Sequence, residues 1–280
     1  MHFICAISSV VEQSVYTGKV GGSNPSSRTM DLPILHEDDN YIVFNKPAGL
    51  VVHSDGKTKD YTLADWLIEN RPEMKDVGEP LEIPAGDSSA ASGRVKILRP
   101  GIVHRLDKDT SGAIVVAKNE KAFKDLKEKF QNREVDKKYH AFLYGTLPED
   151  DDTINRPIGR SKNDFRKWSA QRGARGEMRE AITNYRVMGK AKVDGNAITF
   201  VEAEPKTGRT HQIRVHFKAV HHPVISDALY APNQPQLLGF KRQALHAYTL
   251  SFKGIGGKKV SVTAPYPEDF EKALEIFKNS

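Results

Sequence analysis

GIVHRLDKDTSGAIVVAK, residues 101–118, sets a knot of ionisable groups between two apolar runs. Ile102 and Val103 read as buried strand, and Ala113 to Ala117 reads as another. Between them stand His104, Arg105, Asp107, Lys108 and Asp109. In a loop joining two buried strands these groups cannot all be solvated. They form either a structural ion-pair cluster or the setting of one carboxylate held for chemistry.

Three explanations are open from the residues alone. In the first, the segment is a salt-bridged turn: Arg105 pairs with Asp109, while Asp107 and Ser111 bond the backbone. In the second, a metal is held by some of His211, His216, His221 and His222. These lack the HExxH spacing, and His211 and His216 would fall on different faces of a helix, so no metal is expected. In the third, Asp107 is a lone catalytic carboxylate kept ionised by Arg105, Lys108 and a distant arginine. Asp109, turned elsewhere by a tight turn, would leave one nucleophile or base rather than a pair.

Outward from this stretch the segments alternate in type. Tyr41 to Phe44 is a short apolar strand stopped at Asn45-Lys46-Pro47-Ala48-Gly49, and Leu50 to Val52 resumes it. Thr62 with Asp65 is a capping box for a helix carrying Leu63, Trp66 and Leu67. Residues 71–99 read as a long loop. Asn119 caps a helix with Ala122, Phe123, Leu126 and Phe130 on one face. Lys138 to Tyr144 is a strand, 155–176 is basic and irregular, and strands follow at 180–188 and 197–204. A helix from about Thr210 presents Ile213, Phe217 and Val220; strands Leu245–Phe252 and Lys259–Thr263 and a helix Pro267–Lys278 end the chain. Strands outnumber helices and neighbours are hairpin-close. The expected class is therefore α+β, a mixed and mainly antiparallel sheet with peripheral helices. No glycine-rich strand-to-helix turn is present, so no nucleotide cofactor is expected.

The composition, 38% hydrophobic and 28% charged, is that of a globular chain, with no apolar run long enough to span a bilayer. A net charge of +6 favours an anionic partner, nucleic acid before membrane. Cys5 is the single cysteine, which excludes an internal disulfide and fits a reducing cytoplasm. Residues 1–29 lack periodicity past Val11, and no basic region precedes the apolar FICAISSVV, so the segment is a poor signal peptide. Gly22-Ser23-Asn24-Pro25 is the peptide that the transfer-RNA gene sequence GGTTCGAATCC encodes when read through. Residues 1–29 are therefore expected to be a non-native or disordered extension, with the true start at Met30 and the working domain at 30–280.

GIVHRLDKDTSGAIVVAK resembles the catalytic motif of RluA-type RNA pseudouridine synthases. DNYIVFNKPAGLVVH (39–53) resembles that family's first motif and KKYHAFLYGTL (137–147) its tyrosine-bearing strand. INRPIGR (154–160), TGRTHQIRVHF (207–217), HPVISDALY (222–230) and RQALHAYTLSF (242–252) follow the family pattern in the family order. The likeness spans roughly 31–275. Ala113, Ser226, Ala231 and Lys253-Gly254 depart from it. No S4-type RNA-binding domain is recognised ahead of the core, residues 1–29 being too short for one.

The resemblance implies the pseudouridine synthase fold with a central RNA-binding cleft. It also implies isomerisation of uridine in transfer or ribosomal RNA, without cofactor or metal, by a cytoplasmic enzyme for which a monomer is the default. Pseudouridylation breaks the glycosidic bond, turns the base and rejoins it through carbon 5. A carboxylate beside the sugar stabilises or captures the positive charge that forms. By resemblance Asp107 is that carboxylate, Arg214 its bidentate partner, and Tyr139 the ring that stacks on the target base. Arg105 would fill the gap left by the extruded nucleotide, and Ile213 would line the pocket. Arg160, Arg166 and Lys167, in a basic run that also holds Arg156, Lys162, Arg172 and Arg175, are expected to grip phosphates. Phe165 and Trp168 are interleaved for exposed bases, and Lys46 is a further candidate phosphate contact.

Overall fold

Short apolar strands buried on both faces build the middle of a nine-stranded sheet. The computed structural model describes residues 30–56, 60–84, 94–171 and 174–280. Leu32–Ser280 is a compact unit. Residues 1–29, with Cys5 and the proposed read-through peptide, lie outside the described residues, as does Arg172.

β1 (Ile34–Glu37) and β2 (Tyr41–Lys46) are antiparallel. α1 (Leu63–Asn70) begins at the expected box: Asp65 N–H donates to Thr62 Oγ1 at 3.1 Å and Thr62 N–H to Asp65 Oδ2 at 2.9 Å. Residues 71–99 are not one long loop. A 3-10 turn, Pro72–Met74, precedes the hairpin β3 (Leu81–Pro84) and β4 (Arg94–Ile97). Both strands are four residues long, too short to show a period.

β5 (Ser111–Ala117) is buried throughout, and α2 (Glu120–Gln131) is capped by Asn119 Oδ1, which accepts from Ala122 N–H at 2.9 Å. The expected strand at Ile102-Val103 is absent. Ile102 makes one bridge to Val116, and 103–110 runs as an irregular loop with a turn at Lys108-Asp109. β6 (Asp136–Tyr144) and β7 (Asp151–Asn155) follow. The basic run is also more ordered than its sequence suggests. β8 (Ile158–Arg160), β9 (Trp168–Ser169) and β10 (Arg175–Arg179) pair in a separate three-stranded sheet. A two-residue turn, Asp194-Gly195 with φ of 48° and 77°, joins β11 (Ile182–Val193) to β12 (Asn196–Pro205). α3 (Gln212–Ala219), β13 (Leu245–Lys253), β14 (Lys259–Thr263) and α4 (Glu268–Lys278) complete the chain.

The sheet order is β1-β2-β5-β13-β6-β12-β11-β7, with β14 also paired to β13. Among the described strands only β13 and β5 are parallel. This fold is the mixed, mainly antiparallel α+β architecture expected. β13 lies between β5 and β6 and so brings the loop ahead of β5 beside the first half of β6. Two glycines bracket that loop. A Cβ on Gly101 (φ 61°) would meet Ala117 O at 2.0 Å, and one on Gly112 (φ 112°) would meet Ala247 O at 2.2 Å. Beneath the sheet Phe142 packs on Phe200, Phe240, Phe270 and Phe277, with centroids 4.6 to 5.8 Å apart. Truncating Phe142 to alanine would cost about 3–5 kcal/mol.

Candidate active site

Three segments meet at one cleft of about 680 Å³. The 101–110 loop supplies Asp107 and Arg105, β6 supplies Tyr139, and α3 with its preceding turn supplies His211, Ile213 and Arg214; all six line it. Asp107 is the only carboxylate among the described lining residues, whereas Arg99, Arg105, Lys127, Arg133, Lys137, Lys206, Arg209 and Arg214 are cationic. A low-dielectric wall lined by one sign of charge attracts an anion.

Arg214 Nη1 donates to Asp107 Oδ2 at 2.9 Å, so the expected pair forms, but not in the expected geometry. The bidentate partner is Asp227, whose Oδ2 and Oδ1 accept from Arg214 Nε at 2.6 Å and Nη2 at 2.9 Å. Asp227 is fully buried, and its Oδ1 also accepts the N–H groups of Leu229 and Tyr230, each at 3.0 Å. One edge of the guanidinium is thus locked, leaving a single nitrogen to reach into the cleft. Burial opposes the charge on Arg214, but the bonds to Asp227 and the fields of both carboxylates outweigh it and hold the cation. Burial likewise pushes the Asp107 carboxyl up. The field and hydrogen bond of Arg214, the field of Arg105 and, once its ring is protonated, that of His211 bring it below the ordinary carboxylate value. Asp107 is therefore an anion at neutral pH.

Tyr139 is half-buried, and burial and then the Asp107 charge push its phenol up, so it remains protonated. Arg105 is exposed at the rim, and Ile213 is almost fully buried in the wall. No ion pair joins Arg105 to Asp109 among the described residues; Lys108 instead pairs with Asp60 at 2.8 Å. The salt-bridged turn is thus not the explanation for the 101–118 segment.

Lys46 is corrected outright. It is fully buried, and Nζ donates to Pro47 O at 2.8 Å, Leu50 O at 2.9 Å and Lys108 O at 3.0 Å. Burial pushes it down to about 7 despite Asp109 and Asp107. It ties the end of β2 to the loop carrying Asp107 and presents nothing to a phosphate. Arg242 braces the same loop from the other side, through Asp109 O at 2.9 Å and Ser111 Oγ at 3.3 Å, and pairs with Asp269.

Arg160, Arg166 and Lys167 do not line the cleft. Arg160 lies over the Trp168 ring, 4.3 Å from its centroid, and donates to Phe165 O. Arg166 pairs with Asp164 at 2.9 Å, and Lys167 lies 3.9 Å from the same carboxylate. Phe165 is 85% exposed. His216 is fully buried, with ring nitrogens against Thr183 Oγ1 and Arg156 O, so neither is open to a metal. No group of three or more His, Cys, Asp or Glu side chains among the described residues is arranged to hold a metal ion.

Sequence reasoning missed Asp227, Arg242 and most of the cleft cations. Asp227 had a signal: it is a lone carboxylate among Val224, Ile225, Ala228 and Leu229. The cations had none, since Arg99, Lys127, Arg133, Lys137, Lys206 and Arg209 come singly from distant segments. At Ser226, φ is 56°, a region where the resemblance predicts glycine. Its N–H donates to Tyr144 Oη at 3.1 Å and its hydroxyl to Phe240 O at 3.0 Å, which offsets the strain of a side chain there.

Comparisons with known proteins identify the family and the fold. A family described as RNA pseudouridylate synthase matches residues 40–219. An uncharacterized RNA pseudouridine synthase of Synechocystis is 37% identical over 249 residues, covering 89% of this chain and 69% of that one. A ribosomal large subunit pseudouridine synthase D of Xanthomonas campestris is 35% identical over 268 residues, covering 91% and 72%. The human RNA pseudouridylate synthase domain containing 1 has a similar structure: TM-score 0.63, 27% identity, covering 88% of this chain and 87% of that one.

Proposed function

The chain belongs to the RNA pseudouridylate synthase family and is an RNA pseudouridine synthase; from that premise we propose that Asp107 is its catalytic carboxylate, working in the cleft on a uridine flipped out of structured RNA. One observation carries this reading: in a cleft whose other charged lining residues, among those described, are cations, a single aspartate is held 2.9 Å from an arginine that is itself locked by a second aspartate. The site needs an ionised oxygen beside the anomeric carbon, and Arg214 supplies the charge that offsets burial.

Breaking the glycosidic bond builds positive charge on the sugar, which Asp107 stabilises or captures. Tyr139 stacks on the detached base while it turns. Arg105, at the rim, occupies the space vacated in the RNA stack, offsetting an extrusion cost of a few kcal/mol. The cleft cations hold the backbone on either side. Arg160, Arg166, Lys167 and the exposed Phe165 form an outer contact surface of small effect on affinity, the arginines being held locally by Trp168 and Asp164. The catalytic domain is 30–280 and acts as a cytoplasmic monomer. No helix among the described residues is long and apolar enough to cross a membrane. Ribosomal RNA is the first substrate class to test, given the name of the Xanthomonas relative.

The test compares RNA from cells with the gene intact, deleted, and complemented with Asp107→Asn, mapping pseudouridine by carbodiimide adduct and primer extension. A site that vanishes on deletion and is not restored by the variant supports the assignment and identifies the substrate. Restoration of every site by Asp107→Asn would make Asp107 a structural residue.

A further inference from the structure

His211 stands at the N-cap of α3 with φ 57° and ψ 19°, left-handed backbone for a residue that is not glycine, and its side chain makes no capping bond. Left-handed backbone is uncommon outside glycine, although histidine adopts it more readily than most residues. Here it turns the imidazole into the cleft, where Nε2 lies 3.8 Å from Asp107 Oδ1. Asp107 Oδ2 is the oxygen held by Arg214, so His211 faces the other one.

The other ring nitrogen fixes the tautomer. His211 Nδ1 is 2.9 Å from Tyr230 Oη, and Tyr230 Oη accepts the Trp168 N–H at 3.0 Å. The Tyr230 hydroxyl has no other acceptor among the described residues, so it directs its own proton to Nδ1. The imidazole then carries its hydrogen on Nε2, facing Asp107. Burial, partly opposed by Asp107, lowers the His211 pKa, so the ring holds one proton rather than two at neutral pH. Tyr230 also packs against Arg214, whose guanidinium carbon is 5.0 Å from its ring centroid.

We propose that His211 is a catalytic residue of the same reaction, its Nε2–H aimed at the reacting centre to donate a hydrogen bond to the uracil anion as it leaves the sugar. The inference rests on Asp107 being the catalytic carboxylate. At 3.8 Å the N–H is too far to be spent on Asp107, which leaves it for the group that arrives between them. No proton passes to or from the histidine. The glycosidic electron pair leaves with N1, and the imidazole N–H bonds the resulting anion. When carbon 5 rejoins the sugar it loses its proton, and N1 gains one, so the product is an isomer and His211 ends as it began. A fixed donor aimed at developing charge accelerates such a step. Tyr230 is a positioning residue that acts through the histidine tautomer.

The test is single-turnover tritium release from 5-tritiated uridine in total RNA of a gene-deletion strain, with RNA affinity measured in parallel. His211→Ala should slow release about 10²-fold while Kd changes less than threefold. His211→Gln, which keeps an N–H of similar reach, should recover at least tenfold of that loss. Tyr230→Phe should slow release less, and nitrogen-15 spectra of its His211 should show mixed tautomers where the native protein shows Nε2–H alone. Release by His211→Ala within threefold of native, with Asp107→Asn inactive, would overturn the role of His211 and leave that of Asp107 standing. Full activity of Asp107→Asn would overturn both. If His211→Ala does not fold, an Nδ1–H tautomer in the native protein, or no advantage of His211→Gln over His211→Phe, would equally refute the proposal.

Discussion

Two regions of this molecule are rich in positive charge, and they spend it differently. In the small sheet β8–β10 the cations are dense in sequence but exposed and matched locally: Arg166 with Asp164, Arg179 with Glu177, Arg160 upon Trp168. In the cleft they are sparse in sequence and gathered by the fold around Asp107. Exposed pairs contribute about 0–1 kcal/mol, whereas Arg214 between Asp227 and Asp107 is buried, where removal of a partner leaves an uncompensated charge. Charge density along the chain is therefore a poor guide to charge that works. What counts is burial and how many partners hold the group.

The comparison can be broken first at Asp107. Asp107→Asn keeps the Arg214–Asp227 lock, so folding and RNA affinity should persist while turnover falls roughly 10⁴-fold or more. Single-turnover kinetics with a parallel melting curve checks both halves.

Asp227→Asn should do what no exposed pair can, lowering stability by about 3–5 kcal/mol and slowing the reaction as Arg214 loses its fixed edge. Denaturant unfolding reads the first effect and kinetics the second. A variant as stable as native would mean that the lock is only a surface-like pair.

Behind the cleft, His246 is fully buried between Ser111 Oγ at 2.9 Å and Ala264 O at 3.2 Å, and burial pushes it down to about 4. The unfolded chain binds this proton near pH 6.5 and the folded one does not. Stability is therefore complete above about pH 6.5 and falls as pH drops from there toward 4, by up to about 1.4 kcal/mol per unit. His104, pushed to about 3 by burial, adds in the same sense. Unfolding at pH 7, 6 and 5 should show this slope, reduced in His246→Gln; an equal slope in that variant would discount it.

The smallest effect separates the two basic regions directly. Arg209→Ala, in the cleft, should weaken RNA binding several-fold and reduce the salt slope by about one, whereas Arg166→Ala should change affinity less than twofold. Equal losses would erase the distinction.

The residues that the sequence made legible are those whose local pattern carries the information. Thr62 and Asp65 announced a helix start, Asn119 another, and the 101–118 run announced that its polar centre had a purpose. Tyr139 and Arg214 were readable as chemistry only through the family resemblance, which also decided among the readings open for Asp107, and the convergence of all three needed β13 to lie between β5 and β6. That pairing is long-range and leaves no local trace. Lys46 shows the opposite failure. A lysine beside Pro47 and Gly49 in a polar turn looks solvated, and only the backbone carbonyls that close over it reveal a buried cation. Asp227 stood out as a lone carboxylate among apolar residues, but its purpose is visible only where the fold brings Arg214, thirteen positions upstream, against it.

The central claim is that the Asp107 cleft isomerises uridine in RNA. It is tested most directly by tritium release from 5-tritiated uridine in ribosomal RNA of a gene-deletion strain, comparing native protein with Asp107→Asn at matched RNA saturation. The account predicts release to water by the native protein and none above background by the variant, with RNA affinity retained. Release by Asp107→Asn at the native rate would contradict it.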